Sequence, residues 1–164
     1  MKTKKKDPEL DLIEDIASFT HNPLGFVLYS FEWGVGELED YPEGPEDWQR
    51  EVLFEIGNKL KSGKLTVEGA IQEVVQIAAA SGHGIGKSAL VAWIILWALA
   101  TFEDTKGIVT ANTETQLKTK TWAELAKWHR LFIASHWFQF TATAIYSVDP
   151  KHEKTWRIDI IPRS

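Results

Sequence analysis

Near the middle of the chain stands Ser81-Gly82-His83-Gly84-Ile85-Gly86-Lys87-Ser88, a run whose residue types suit one kind of chemistry. Glycines let successive backbone N–H groups turn toward one hollow, where they meet the oxygens of a phosphate. A lysine after the last glycine reaches the β- and γ-phosphates, and the hydroxyl residue behind it ligates Mg²⁺. Gly84, Gly86, Lys87 and Ser88 fill these places, with Lys87 the catalytic candidate and Ser88 the metal ligand. Ser81 stands where the usual spacing has a glycine, and Gly82 and Gly84 supply the lost freedom. Ser81, Gly82, His83, Gly84, Ile85, Gly86, Lys87 and Ser88 are therefore the candidate phosphate-binding residues, with ATP and Mg²⁺ the implied ligands. His83 either stacks on or hydrogen-bonds the nucleotide, or is a plain loop residue facing solvent.

Two further stretches bear on the same chemistry. Gln49, in Glu46-Asp47-Trp48-Gln49-Arg50, begins an amphipathic helix well before the glycine run. Its amide both donates and accepts, as recognition of an adenine edge requires; an ordinary surface glutamine is the alternative. Downstream, Thr110, Asn112, Thr113, Thr115 and Gln116 cluster ahead of Lys118 and Lys120. Residue types of this sort touch nucleic-acid backbones, and equally they cap helices and solvate a lysine face.

The elements that must position these residues follow from periodicity and punctuation. Asp7-Pro8 and Asn22-Pro23 each read as a cap followed by a first-turn proline, opening two short helices. Trp48, Val52, Leu53, Ile56 and Leu60 share one stripe of a third, which Gly63 stops. Ile71 to Ala80 reads as a buried strand entering the glycine loop, and Lys87 to Phe102 as a helix apolar nearly all round. Lys106 to Asn112 reads as a strand, Thr113 to Phe132 as a helix, and Phe138 to Val148 and Lys154 to Pro162 as strands. This order predicts an α/β fold: a parallel sheet of the phosphate-loop NTPase type, flanked by helices and incomplete. Residues 1–65 form a helical lead-in that packs on the sheet and carries the adenine element. Residues 66–164 form the core, and the whole is a single domain.

Composition excludes several classes. There is no cysteine, hence no disulfide framework and no thiolate metal site. None of the five histidines forms a close zinc-type pair, which argues against a metal site built on them. A net charge of −5 is unlike that of a free-standing DNA-binding module, although an enzyme touching DNA with one face can be acidic overall. The basic start, Met1 to Lys6, has no apolar segment behind it and reads as a solvated tail, not a secretory signal. The run Ala89 to Ala100 is too short to span a membrane, so a cytoplasmic protein is expected. Eight tryptophans predict a large aromatic core, or a face that packs on the rest of a larger protein.

Three stretches taken together, Phe31–Leu53, Ile77–Leu99 and Ile108–Phe132, resemble the ATPase domain of the phage terminase large subunit, the motor that packages viral DNA. The phosphate loop alone fits many ATPases; the Trp-Gln element before it and the Thr-Ala-Asn-Thr-Glu-Thr-Gln segment after it narrow the choice. The resemblance implies that Gln49 recognises adenine and that Gly84, Gly86, Lys87 and Ser88 hold the phosphates and Mg²⁺. It implies double-stranded DNA, a terminase small subunit and a portal as partners, a possible homo-oligomer, and work in the cytoplasm of a bacterial host.

The chain departs from the family in two ways. Its loop lacks the arginine that terminases often carry near the loop start, and His83 does not replace that charge. Hydrolysis also needs an acid on Mg²⁺ and a glutamate to orient water. No apolar run in the sequence ends in Asp-Glu; Asp159, in Arg157-Ile158-Asp159-Ile160, has no acid after it. The expectation is the N-terminal part of a longer ATPase, from an expressed fragment or a truncated prophage gene, that binds ATP with little or no turnover. A helicase-like ATPase or a small kinase is one alternative, the kinase disfavoured by few arginines. A non-catalytic remnant acting only in assembly is the other.

Overall fold

The computed structural model describes residues 7–80, 86–111 and 115–162. Helix α1 (Pro8–Ala17) is capped by the Asp7 carboxylate, which accepts from Glu9 N–H at 3.0 Å. The Asn22 side chain does the same for α2 (Pro23–Ser30), accepting from Gly25 N–H at 2.9 Å. Both caps are those expected from the Asx-Pro pairs. After a short 3₁₀ turn (Gly36–Leu38), α3 (Asp47–Lys61) opens with a reciprocal capping box between Glu46 and Gln49 and ends before Gly63, whose φ is +75°.

The next element corrects the expected fold. Residues read as the first strand of a parallel sheet form a helix, α4 (Val67–Ala80). Ala70, Val74 and Ala78 are buried at four-residue spacing, with Ile71 and Val75 packed beside them. That is a helical stripe, and Thr66 starts the element by accepting from Gly69 N–H at 3.0 Å. The β-branched centre, Val74-Val75, suggested a strand; the 3.6-residue spacing of the whole segment and its alanine-rich end suit a helix.

Helix α5 (Lys87–Thr101) is the axis of the molecule: every residue from Ala89 to Ala100 is buried. Neighbours surround it, with α4 and α6 (Thr115–Leu131) on the two largest contacts and α1 and α2 against it as well. An all-round apolar helix can be buried on every side only within such a ring. Of the lead-in helices, α1 and α2 pack on α5 while α3 packs on α2 and α4, and none has its main packing on the sheet.

Strand β1 (Lys106–Ala111) follows α5, and β2 (Phe138–Phe140), β3 (Ala144–Ser147) and β4 (Arg157–Pro162) follow α6. They form one small sheet in the order β1-β4-β3-β2, in which only β1 and β4 run parallel. The fold is thus predominantly helical with a small, mostly antiparallel sheet, and the parallel sheet flanked by helices is not what this chain builds. The 138–148 stretch makes two strands instead of one, because Thr141 turns the chain: its N–H and hydroxyl both reach the Ala144 carbonyl, at 2.8 and 3.2 Å.

Tryptophans fill the space between α5, α6 and the segment after α2. Trp33, Trp93 and Trp128 pack together with Phe31, ring centroids 4.9–6.0 Å apart and mostly edge to face. None of the eight is fully exposed, as an aromatic core requires. Among the described residues no helix is long and apolar enough to cross a membrane.

Candidate functional site

The capping box that starts α3 also builds the site. Gln49 is 4% exposed, unusual for a glutamine. Its Oε1 accepts from Glu46 N–H at 2.9 Å, and its Nε2 donates to the Gly86 carbonyl at 2.8 Å. One bond needs the oxygen and the other the nitrogen, so the network fixes which way the amide faces. Trp48, next in the chain, donates its indole N–H to Glu46 Oε2 at 2.8 Å and lies against Gly86. The Trp-Gln element and the end of the glycine run, 37 residues apart, are in direct contact.

Gly86 is the N-cap of α5, with φ +89°. A Cβ there would lie 2.6 Å from Gln49 Nε2 and 3.1 Å from Trp48 Cζ2. Both the backbone and the space demand glycine. Lys87 and Ser88, each half-buried, follow in the first turn of α5, where N–H groups lack intrahelical partners and attract anions. Ser81, Gly82, His83, Gly84 and Ile85 lie outside the described residues, as do Asn112 and Thr113.

In front of Gly86 and Ser88 opens a pocket of about 460 Å³, within the range of small-molecule sites. Trp33 and Tyr41 line it from the loop before α3, Trp93 from α5, and Lys120, Glu124, Lys127 and Trp128 from α6. The pocket thus gathers Gln49, Gly86 and Ser88; Lys87 is not among the residues lining it. Lys120 is exposed at its edge, while the Lys127 ammonium sits 5.1 Å from the centre of the Trp128 ring. Trp128 in turn donates to Glu124 Oε2 at 2.8 Å, and the buried Trp93 N–H has no acceptor among the described residues. The sequence singles out Lys120 with the polar cluster before it, but Glu124, Lys127 and Trp128 show only helical spacing and Tyr41 lies in a loop; the fold brings them here.

Other acidic groups lie elsewhere. Asp159 is held by both nitrogens of the Arg157 fork at 2.8 and 2.9 Å, which also keeps the Arg157 guanidinium pKa above its ordinary value. Glu103, Asp104 and His152 bring one ligand atom each within 4.8 Å of one another, a grouping of metal-binding types that the sequence, with Asp104 and His152 48 positions apart, did not reveal.

His152 Nδ1 bonds Asp104 Oδ1 at 2.8 Å, tying the turn after α5 to the segment before β4. This bond and the nearby carboxylates of Asp104, Asp149 and Glu103 raise the His152 pKa, while hydrogen bonds from His152 and Thr155 lower that of Asp104. A raised histidine pKa stabilises the fold fully below the unfolded value, and that contribution is lost as pH rises through the folded value. A lowered aspartate pKa contributes above its unfolded value and is lost as pH falls through the folded one. The tie is therefore strongest in the weakly acidic window between them. Melting temperature against pH is expected to show wild type above His152→Gln in that window, with the gap closing on the alkaline side of neutrality; a gap that widened there would contradict the assignment.

Comparisons with protein families, with characterised proteins and with solved structures find no match to this chain.

Proposed function

We propose that the pocket between α3, α5 and α6 binds ATP with Mg²⁺, and that the chain is the ATP-binding portion of a DNA-packaging motor of the terminase large-subunit type. The observation that carries the reading is convergence. The three stretches on which the resemblance rests, far apart in sequence, each supply walls of one pocket: Trp33, Tyr41 and Gln49 from the first, Gly86, Ser88 and Trp93 from the second, Lys120 and Trp128 from the third. The reading rests on this pocket and on the glycine-lysine-serine order, not on a parallel sheet.

Aromatic walls suit a flat base. Gln49 keeps one N–H and one lone pair beyond those spent on Gly86 and Glu46, the pair of groups an adenine edge uses. Ser88 would hold Mg²⁺, and the free N–H groups of the α5 first turn would face the phosphates. Lys87 would neutralise phosphate charge. Double-stranded DNA, a small terminase subunit and a portal are the partners this motor would serve, as a homo-oligomer or otherwise.

Titrating a fluorescent ATP analogue with Mg²⁺ into the chain and into Lys87→Ala tests the reading, with phosphate release followed in parallel. Wild type is expected to bind, and the variant to bind roughly 10–100-fold more weakly, the worth of one charge-assisted contact. Little or no phosphate release is expected, since these 164 residues contain no apolar run ending in Asp-Glu. Equal binding by both proteins would remove Lys87 from the site; absence of binding by either would favour the non-catalytic remnant.

A further inference from the structure

Base recognition accounts for one N–H and one lone pair of the Gln49 amide; the N–H spent on Gly86 is unexplained by it. The Gly86 carbonyl accepts twice, from Leu90 N–H at 3.2 Å within α5 and from Gln49 Nε2 at 2.8 Å. With both lone pairs engaged, the carbonyl direction is set. The peptide unit is planar, so the same two bonds set the direction of the Lys87 N–H on its other side. Standing in the first turn of α5, that N–H has no intrahelical acceptor. Gln49 is itself anchored by Glu46 N–H and is almost wholly buried, so it has little freedom to shift.

We propose that Gln49 is a positioning residue for the phosphate site: its amide holds the Gly86–Lys87 peptide plane and thereby aims a backbone donor at the triphosphate. The inference rests on the nucleotide reading above and adds to it. Base capture and the shape of the loop end then share one side chain, and a base seated on the remaining N–H and lone pair of the amide stiffens its bond to Gly86. A glutamine that only reads adenine would select among bases and leave phosphate binding alone. A glutamine that positions the loop contributes to binding of any triphosphate, with or without a base.

The test uses wild type, Gln49→Glu and Gln49→Met, each first shown to be folded by its thermal transition. The glutamate keeps the acceptor for Glu46 and loses the donor to Gly86; the methionine keeps the length and loses both. Binding of Mg·ATP, Mg·GTP and inorganic tripolyphosphate is measured, together with the rate of tryptic cleavage after Lys87 in ligand-free protein. Both variants are expected to lose on the order of tenfold in affinity for tripolyphosphate as well as ATP, and to be cut several-fold faster after Lys87. Loss of ATP-over-GTP preference alone, with tripolyphosphate binding and cleavage unchanged, overturns the proposal and leaves Gln49 a base reader. If wild type binds none of the three ligands, the nucleotide reading fails and takes the phosphate-aiming role with it. The cleavage rates then report separately whether the Gln49–Gly86 bond holds the start of α5.

Discussion

Trp97→Ala is expected to lower the melting temperature by roughly 6–20 °C, the largest single effect on stability in this chain. Trp97 is fully buried at the centre of α5, its indole packed edge to face on Phe102 at 5.5 Å. Its N–H donates to the Phe19 carbonyl at 2.7 Å, joining the central helix to the turn between α1 and α2. Truncating a buried aromatic costs about 3–5 kcal/mol in lost burial and cavity. A domain of this size holds only about 5–15 kcal/mol in all. Loss of the indole also leaves the Phe19 carbonyl with only its 3.0 Å bond from Asn22 N–H, and the lead-in helices should loosen before the rest. Trp97→Phe separates the two contributions, because it keeps most of the volume and loses only the donor. Helical circular dichroism on heating reads both variants; a shift of less than a few degrees for the alanine would mean that α5 is not the axis of the fold.

The second large effect is expected at Gly86. Gly86→Ala puts a side chain on a backbone with φ +89°, a cost of about 1–2 kcal/mol. It also drives a Cβ into Gln49 Nε2. Gln49 cannot give way without surrendering its bond to the Gly86 carbonyl, worth about 1–3 kcal/mol when a buried group is left unpaired. Nucleotide-analogue binding is expected to fall by 10-fold or more, on the order of the combined strain and lost bond. Stability should drop by a smaller margin, because an opened α5 start can relieve part of the clash. Gly63→Ala is the control: it too has a positive φ, +75°, but nothing lies near its Cβ and it is remote from the pocket. If the two variants bound the analogue equally well, close approach at Gly86 would have no part in the site.

Much of the local structure was legible in the sequence because local physics decides it. Asp7-Pro8 and Asn22-Pro23 opened their helices where Asx-Pro pairs must, and Gly63 followed the end of α3 with the positive φ that glycine takes at no cost. The apolar stretch after Lys87 formed a helix buried all round. The Val74-Val75 segment was misread because a buried strand and a buried helix share the same short apolar signature, and only the spacing of Ala70, Val74 and Ala78 against α5 separates them. With that helix in place of a strand, the sheet became small and mostly antiparallel.

The candidate site divides the same way. Residue types alone single out Gly86, Lys87, Ser88 and Gln49, because phosphate and adenine chemistry need glycine, a cation, a hydroxyl and an amide in set places. The resemblance implies that they serve one nucleotide, but no local pattern brings them together. The Gln49–Gly86 bond spans 37 residues, and the pocket walls from α6 come from a helix that, Lys120 apart, shows only amphipathicity. The order of residues determined the caps, the turns and the chemical identity of each candidate, all settled within a few residues. Only tertiary packing around α5 decided which candidates share a pocket and which lie apart, as Asp159 does with Arg157, because that choice depends on helices far apart in the chain burying their apolar faces against one another.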